Sequence, residues 1–76
     1  MKKMQHPAWI DDPNTQYKVF AMLGDMEQDM GGDKGKYDDM IAKMKDMRDR
    51  MGGWTEWQLR RKITKDKYKT EFITMG

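Results

Sequence analysis

The stretch DPNTQYKVFAMLGDMEQDMGG, residues 12–32, decides the fold. Read at three- and four-residue steps, Val19, Met22, Leu23, Met26 and Met30 fall on one helical face, widened by Tyr17, Phe20 and Ala21. Asp12-Pro13 supplies a start. An Asp side chain accepts from the free N–H groups of a first turn, and Pro at the first helical position forfeits no needed donor. Gly31-Gly32 supplies a stop, because glycine takes positive φ without steric cost. The spacing predicts a helix over 13–30. Gly24 within it is either a weakness of about 1 kcal/mol relative to alanine or the mark of a close helix crossing.

Working outward, Tyr37, Met40, Met44, Met47 and Met51 are spaced 3, 4, 3, 4, with Ile41 alongside. That is an a/d seam two heptads long, and it predicts a second helix over 36–51, ended by Gly52-Gly53. Asp38 and Asp39 sit where the positive end of the helix dipole favours them. Asp46 and Arg50 form a favourable i,i+4 pair on the outer face. The two helices are expected to form an antiparallel helical hairpin within 12–53.

Thr55-Glu56-Trp57-Gln58 fits a capping box and predicts a third, C-terminal helix over 55–67 carrying Leu59 and Ile63 on one face. After Thr64 the pattern decays. Tyr68, Thr70, Phe72 and Thr74 alternate with Lys69, Glu71, Ile73 and Met75, which is strand spacing, so 68–75 reads as a short β tail. A continued helix would instead align Thr64, Tyr68, Phe72 and Met75, and both readings stay open. Residues 1–11, with His6, Pro7, Trp9 and Ile10, read as an extended N-terminal arm whose Trp9 and Ile10 dock onto the helices. The expected architecture is mainly α: one small helical domain over 1–76, with arm, hairpin and a basic, aromatic segment at 54–76.

A chain of 76 residues has a thin core. Small domains are stapled by disulfides, a metal or association. With no cysteine and one histidine, neither a disulfide nor a four-ligand zinc site can be built from one chain. Association with a protein partner or as a homo-oligomer is therefore expected, with no cofactor and no metal. Met1-Lys2-Lys3 resembles the opening of an export signal, but Gln5, His6, Asp11 and Asp12 interrupt it, and no apolar run could span a bilayer. An intracellular, cytoplasmic setting is expected, or one within a viral particle.

Serine is absent as well, so the familiar Ser–His and Cys–His nucleophiles cannot form, and a non-enzymatic role is expected. Gly31-Gly32-Asp33-Lys34-Gly35-Lys36 echoes a phosphate-binding loop. The spacing is one residue short, and Tyr37 stands where Ser or Thr would hold magnesium. Asp25, Glu27, Asp29 and Gly31 echo a calcium loop, but the glycine comes one residue late, and Lys36 occupies the place of the bidentate Glu. Neither carries the chemistry.

Two features remain. Ten methionines make an adaptable core or contact surface, and Tyr37, Met40, Met44, Met47 and Met51 form the candidate seam between helices or copies. Trp54, Trp57, Arg60, Arg61, Lys65, Tyr68 and Phe72 form the candidate partner-binding set, in a segment where 54–76 carries six Lys/Arg against three Asp/Glu. Trp, Tyr and Arg are the anchors of protein interfaces. The leading expectation is a protein–protein interaction or assembly component, of the small viral structural or regulatory kind. The alternative is a nucleic-acid-binding module using 60–69, where cations meet phosphate and rings meet bases.

Overall fold

The computed structural model describes residues 7–76. A short 3-10 turn at Ala8–Asp11 leads into β1 (Gln16–Leu23) and β2 (Met26–Lys34), then one helix, α1 (Tyr37–Arg50), then β3 (Glu56–Thr64) and β4 (Lys67–Met75). The strands form a single sheet in the order β2-β1-β3-β4, each neighbouring pair antiparallel. α1 is the crossover from edge strand β2 to inner strand β3, and it covers one face of the sheet.

This overturns the mainly α helical hairpin. The expected helix over 13–30 is the β1–β2 hairpin, and the expected C-terminal helix over 55–67 is β3. The helix expected at 36–51 is present as α1. The strand spacing at 68–75 is realised too, but β4 is an integral edge strand and no tail. Residues 1–6 of the expected arm, His6 included, lie outside the described residues. Its end is a 3-10 turn in place of extended chain, with Trp9 edge-on to Tyr37 at 5.7 Å between ring centroids.

The reasons are local. Along β1, Tyr17, Val19 and Ala21 are buried beneath the helix, while Lys18, Phe20 and Met22 alternate onto the other face. Gly24-Asp25 closes the hairpin as a two-residue turn, with Gly24 at φ +61, a conformation side chains rarely adopt. The supposed capping-box threonine serves this turn. Thr55 donates its N–H and its hydroxyl to the Met22 carbonyl at 2.8 and 2.9 Å, and its oxygen accepts from the Gly24 N–H at 3.3 Å. A local signature for a helix start is satisfied by the neighbouring hairpin.

Two irregularities in pairing set which side chains reach the core. Pairing jumps from Phe20↔Asp29 to Lys18↔Gly32, so Met30 and Gly31 together oppose Val19, with Gly31 at φ +106. This bulge lets Met30 pack against the core. In β4, Leu59↔Phe72 is followed by Arg60↔Thr70, leaving Glu71 as the extra residue. Tyr68 and Thr70 therefore share the face of Arg60, whereas Phe72 and Thr74 share that of Leu59 and the helix.

The core consists of Tyr17, Val19, Ala21, Met40, Met44, Trp57 and Leu59. Fully burying each large side chain contributes about 1.5–3 kcal/mol, so Trp57, Tyr17, Met44 and Leu59 supply most of the cohesion. Among the described residues no helix is long and apolar enough to cross a membrane, and no group of three or more His, Cys, Asp or Glu could hold a metal.

Candidate functional site

Alternation places chemistry on the sheet face that α1 leaves open. Antiparallel sheets commonly bury one face and present the other to solvent. The registers arrange this open face in rows across the strands. Glu27, Met22, Glu56 and Met75 form one row, and Asp29, Phe20, Gln58 and Ile73 the next. Gly32, Lys18, Arg60 and Thr70 follow, then Lys62 and Tyr68. Carboxylates gather towards the β1–β2 turn, and cations towards the β3–β4 turn.

At the centre Arg60 lies over the ring of Phe20, its guanidinium carbon 4.1 Å from the ring centroid. It donates twice to the Gln58 side-chain oxygen, at 3.0 Å from Nε and 2.8 Å from Nη2, and also pairs with Glu27. Gln58 in turn accepts from the Thr70 hydroxyl and donates to Glu56 at 2.7 Å. The Lys18 ammonium sits 5.4 Å from the centroid of Tyr68 and bonds Asp29 at 3.1 Å, and that bond holds its pKa above the ordinary lysine value. Asp29 is held below the ordinary carboxylate value, first by the Gly31 N–H and then by Lys18. Beside this pair a shallow cleft of about 360 Å³ is lined by Gln16, Lys18, Gly32, Asp33, Lys34 and Tyr68, with Tyr17 beneath.

The β3–β4 turn projects beyond the cleft and carries Lys62, Lys65 and Lys67 around Asp66, while Lys69, opposite Arg61 in the register, faces the helix side. Among the described residues none of these four lysines pairs with a carboxylate, and neither do Lys34 and Lys36 at the same end of the sheet. By contrast Arg61 is committed. It bonds Glu71 at 2.8 Å, lies 4.1 Å from the Trp9 centroid, and faces the helix side. The consecutive cations Arg60, Arg61 and Lys62 are thus split by the strand: two open, one covered.

The structure separates the residues singled out in the sequence. Trp57 is wholly buried, with Trp54 half-buried against it at 6.4 Å between centroids. Phe72 packs on the core under Lys45, whose ammonium is 5.4 Å from its ring centroid. Only Arg60, Lys65 and Tyr68 of the partner-binding set belong to the open face or its projecting turn. The methionine seam packs inside this chain: Met40 and Met44 are buried, Tyr37 and Met47 lie against the core, and Met51 is exposed. Sequence reading missed Lys18, Phe20 and Gln58, which a helix scatters and a strand with two-residue period brings together. Comparison with protein-family models, with curated proteins and with solved structures finds no match.

Proposed function

We propose that the chain is a non-catalytic binding module that takes single-stranded nucleic acid across the open sheet face at its basic end. The observation that carries this reading is the group of three lysines without carboxylate partners among the described residues, Lys62, Lys65 and Lys67, at the end of the sheet where Lys18 meets Tyr68. Lys62, Lys65 and Lys67 outweigh Asp66 on this turn. A net positive, solvated turn attracts a polyanion, while an adjoining ring offers a stacking surface that every base can use. A duplex would match this shape less well, since α1 lies packed on the sheet and is not free to enter a groove. The partner-protein expectation relies on exposed aromatic anchors, and Trp57 is consumed by the core with Trp54 half-buried against it.

The test is anisotropy of a labelled oligothymidylate titrated with the full chain over a range of salt. Binding should weaken with a log–log slope near −2, about −0.7 for each of the three lysines. Replacing Lys65 and Lys67 with alanine should flatten the slope by about 1.4. Association that ignores salt, or no retention at low salt, sinks the reading.

A second reading has one observation in its favour. β4 is an open edge nine residues long, with Ile73 and Met75 exposed along it. Such an edge is a template for strand addition by a protein segment. That contact would be insensitive to salt, so the same titration separates it from the first.

A further inference from the structure

Resting on the nucleic-acid reading, we infer that the guanidinium of Arg60, stacked on Phe20, is the platform on which a nucleobase lies. Phe20 is the aromatic ring at the middle of the open face, and Arg60 already covers it. Its guanidinium carbon is 4.1 Å from the ring centroid. A base arriving there meets Arg60 before it meets Phe20. The guanidinium is planar, delocalised and weakly hydrated, and it stacks on π systems from either side. Of the Arg60 side chain, 19% remains accessible.

The hydrogen bonds fix that plane. Nε and Nη2 both bind the Gln58 oxygen, and Nη2 also reaches Glu27, so the fork is held in place from two strands. A flexible arginine loses rotamer freedom on binding, whereas one already tethered loses less. Glu27 also offsets the charge of Arg60, so Arg60 contributes through its plane, and phosphate attraction is left to Lys62, Lys65 and Lys67. Tyr68, on the far side of Lys62, is placed to take a neighbouring base. The surface therefore divides its labour: lysines for the backbone, the Phe20–Arg60 stack and Tyr68 for bases.

The experiment uses two short single strands of equal charge, an oligothymidylate and an abasic deoxyribose-phosphate oligomer. The full-length wild-type chain should bind the base-bearing strand roughly tenfold more tightly, the size of one good stacking contact. The Arg60 Nε–Hε resonance should move on adding that strand and stay in place with the abasic one. Arg60→Lys keeps the charge and loses the plane. It should lower thymidylate affinity, leaving only the preference that Tyr68 supplies, while abasic affinity and the salt slope stay unchanged. Equal affinity for the two strands, or an Arg60 resonance unmoved by bases, overturns the platform and leaves electrostatic binding standing. Failure of both strands to bind at low salt removes the underlying reading and the platform with it.

Discussion

Tyr17→Phe should stabilise this protein, the reverse of what deleting a polar group in a core contact usually does. Tyr17 is 2% exposed, and its hydroxyl has no hydrogen-bond partner among the described residues. A buried hydroxyl left unpaired costs about 1–3 kcal/mol. Removing it leaves no orphaned partner and a void of roughly one oxygen atom, worth a few tenths of a kcal/mol at ~24 cal/mol per Å³. The net gain should be about 1 kcal/mol, or about 4–8 °C in Tm for a domain of this size. A second readout follows from ionisation. Burial pushes the Tyr17 phenol from 10.0 up to about 12, with the nearby Arg61 charge opposing the rise. Between these two values the unfolded phenol has lost its proton while the folded one keeps it. The unfolded state then binds fewer protons, so stability falls as pH rises through this window. Phenylalanine cannot contribute to that loss. The advantage of Tyr17→Phe should therefore grow with alkalinity, by at most about 1.4 kcal/mol per pH unit. Urea unfolding of both proteins at neutral pH and across the alkaline window checks both. A variant less stable than wild type by more than about 0.5 kcal/mol would show that the hydroxyl is satisfied, since that loss is the value of a made hydrogen bond.

Leu59→Ala removes a fully buried side chain from the strand between Trp57 and Arg61, and unfolding in urea should show a loss of about 2–5 kcal/mol. Gly32→Ala would place a Cβ 2.9 Å from the backbone oxygen of Tyr17, which cannot swing aside. It should cost about 1–3 kcal/mol by thermal melting. Gly52→Ala is its control: nothing lies within 4 Å of the added carbon and its φ is not positive, so the change should be neutral or favourable by up to about 1 kcal/mol.

How far the fold could be read from residues depends on which face of each element is apolar. α1 was legible because Tyr37, Met40, Met44 and Met47 put one apolar stripe against the sheet, and Asp38, Lys45 and Asp46 leave the other side polar. β1 was not. Phe20 and Met22 are apolar residues on its open face, so the two-residue alternation of Tyr17, Val19 and Ala21 is filled in. The remainder then mimics three- and four-residue steps. Methionines at 22, 26 and 30 strengthened the illusion, although they belong to two strands. The contrary signal was Gly24-Asp25, a two-residue hairpin turn between apolar runs. For β3 the capping box was a true local pattern with a tertiary use, since Thr55 holds the Met22 carbonyl. The density of Trp57, Ile63, Thr64, Tyr68, Thr70, Phe72 and Ile73 from 57 onward was the better guide, because β-branched and aromatic side chains suit a pleated surface.

The site was legible only as composition, and the reason is the same error of period. Basic and aromatic residues between 54 and 76 were correctly seen as a mixture, but a mixture does not say which members share a face. On a strand Arg60 and Lys62 point one way and Arg61 the other, and Glu71 as an extra residue separates Tyr68 from Phe72. That sorting sends Trp57 and Phe72 inward, where they provide cohesion, and sends Arg60, Lys62 and Tyr68 outward beside Lys18 and Phe20 from a strand forty residues earlier. Cohesion and recognition are thus drawn from one run of sequence by alternation. The consequence reaches the question of association. The rings that seemed to require a partner are largely spent on the helix-facing side, and what remains outside is charged more than it is apolar.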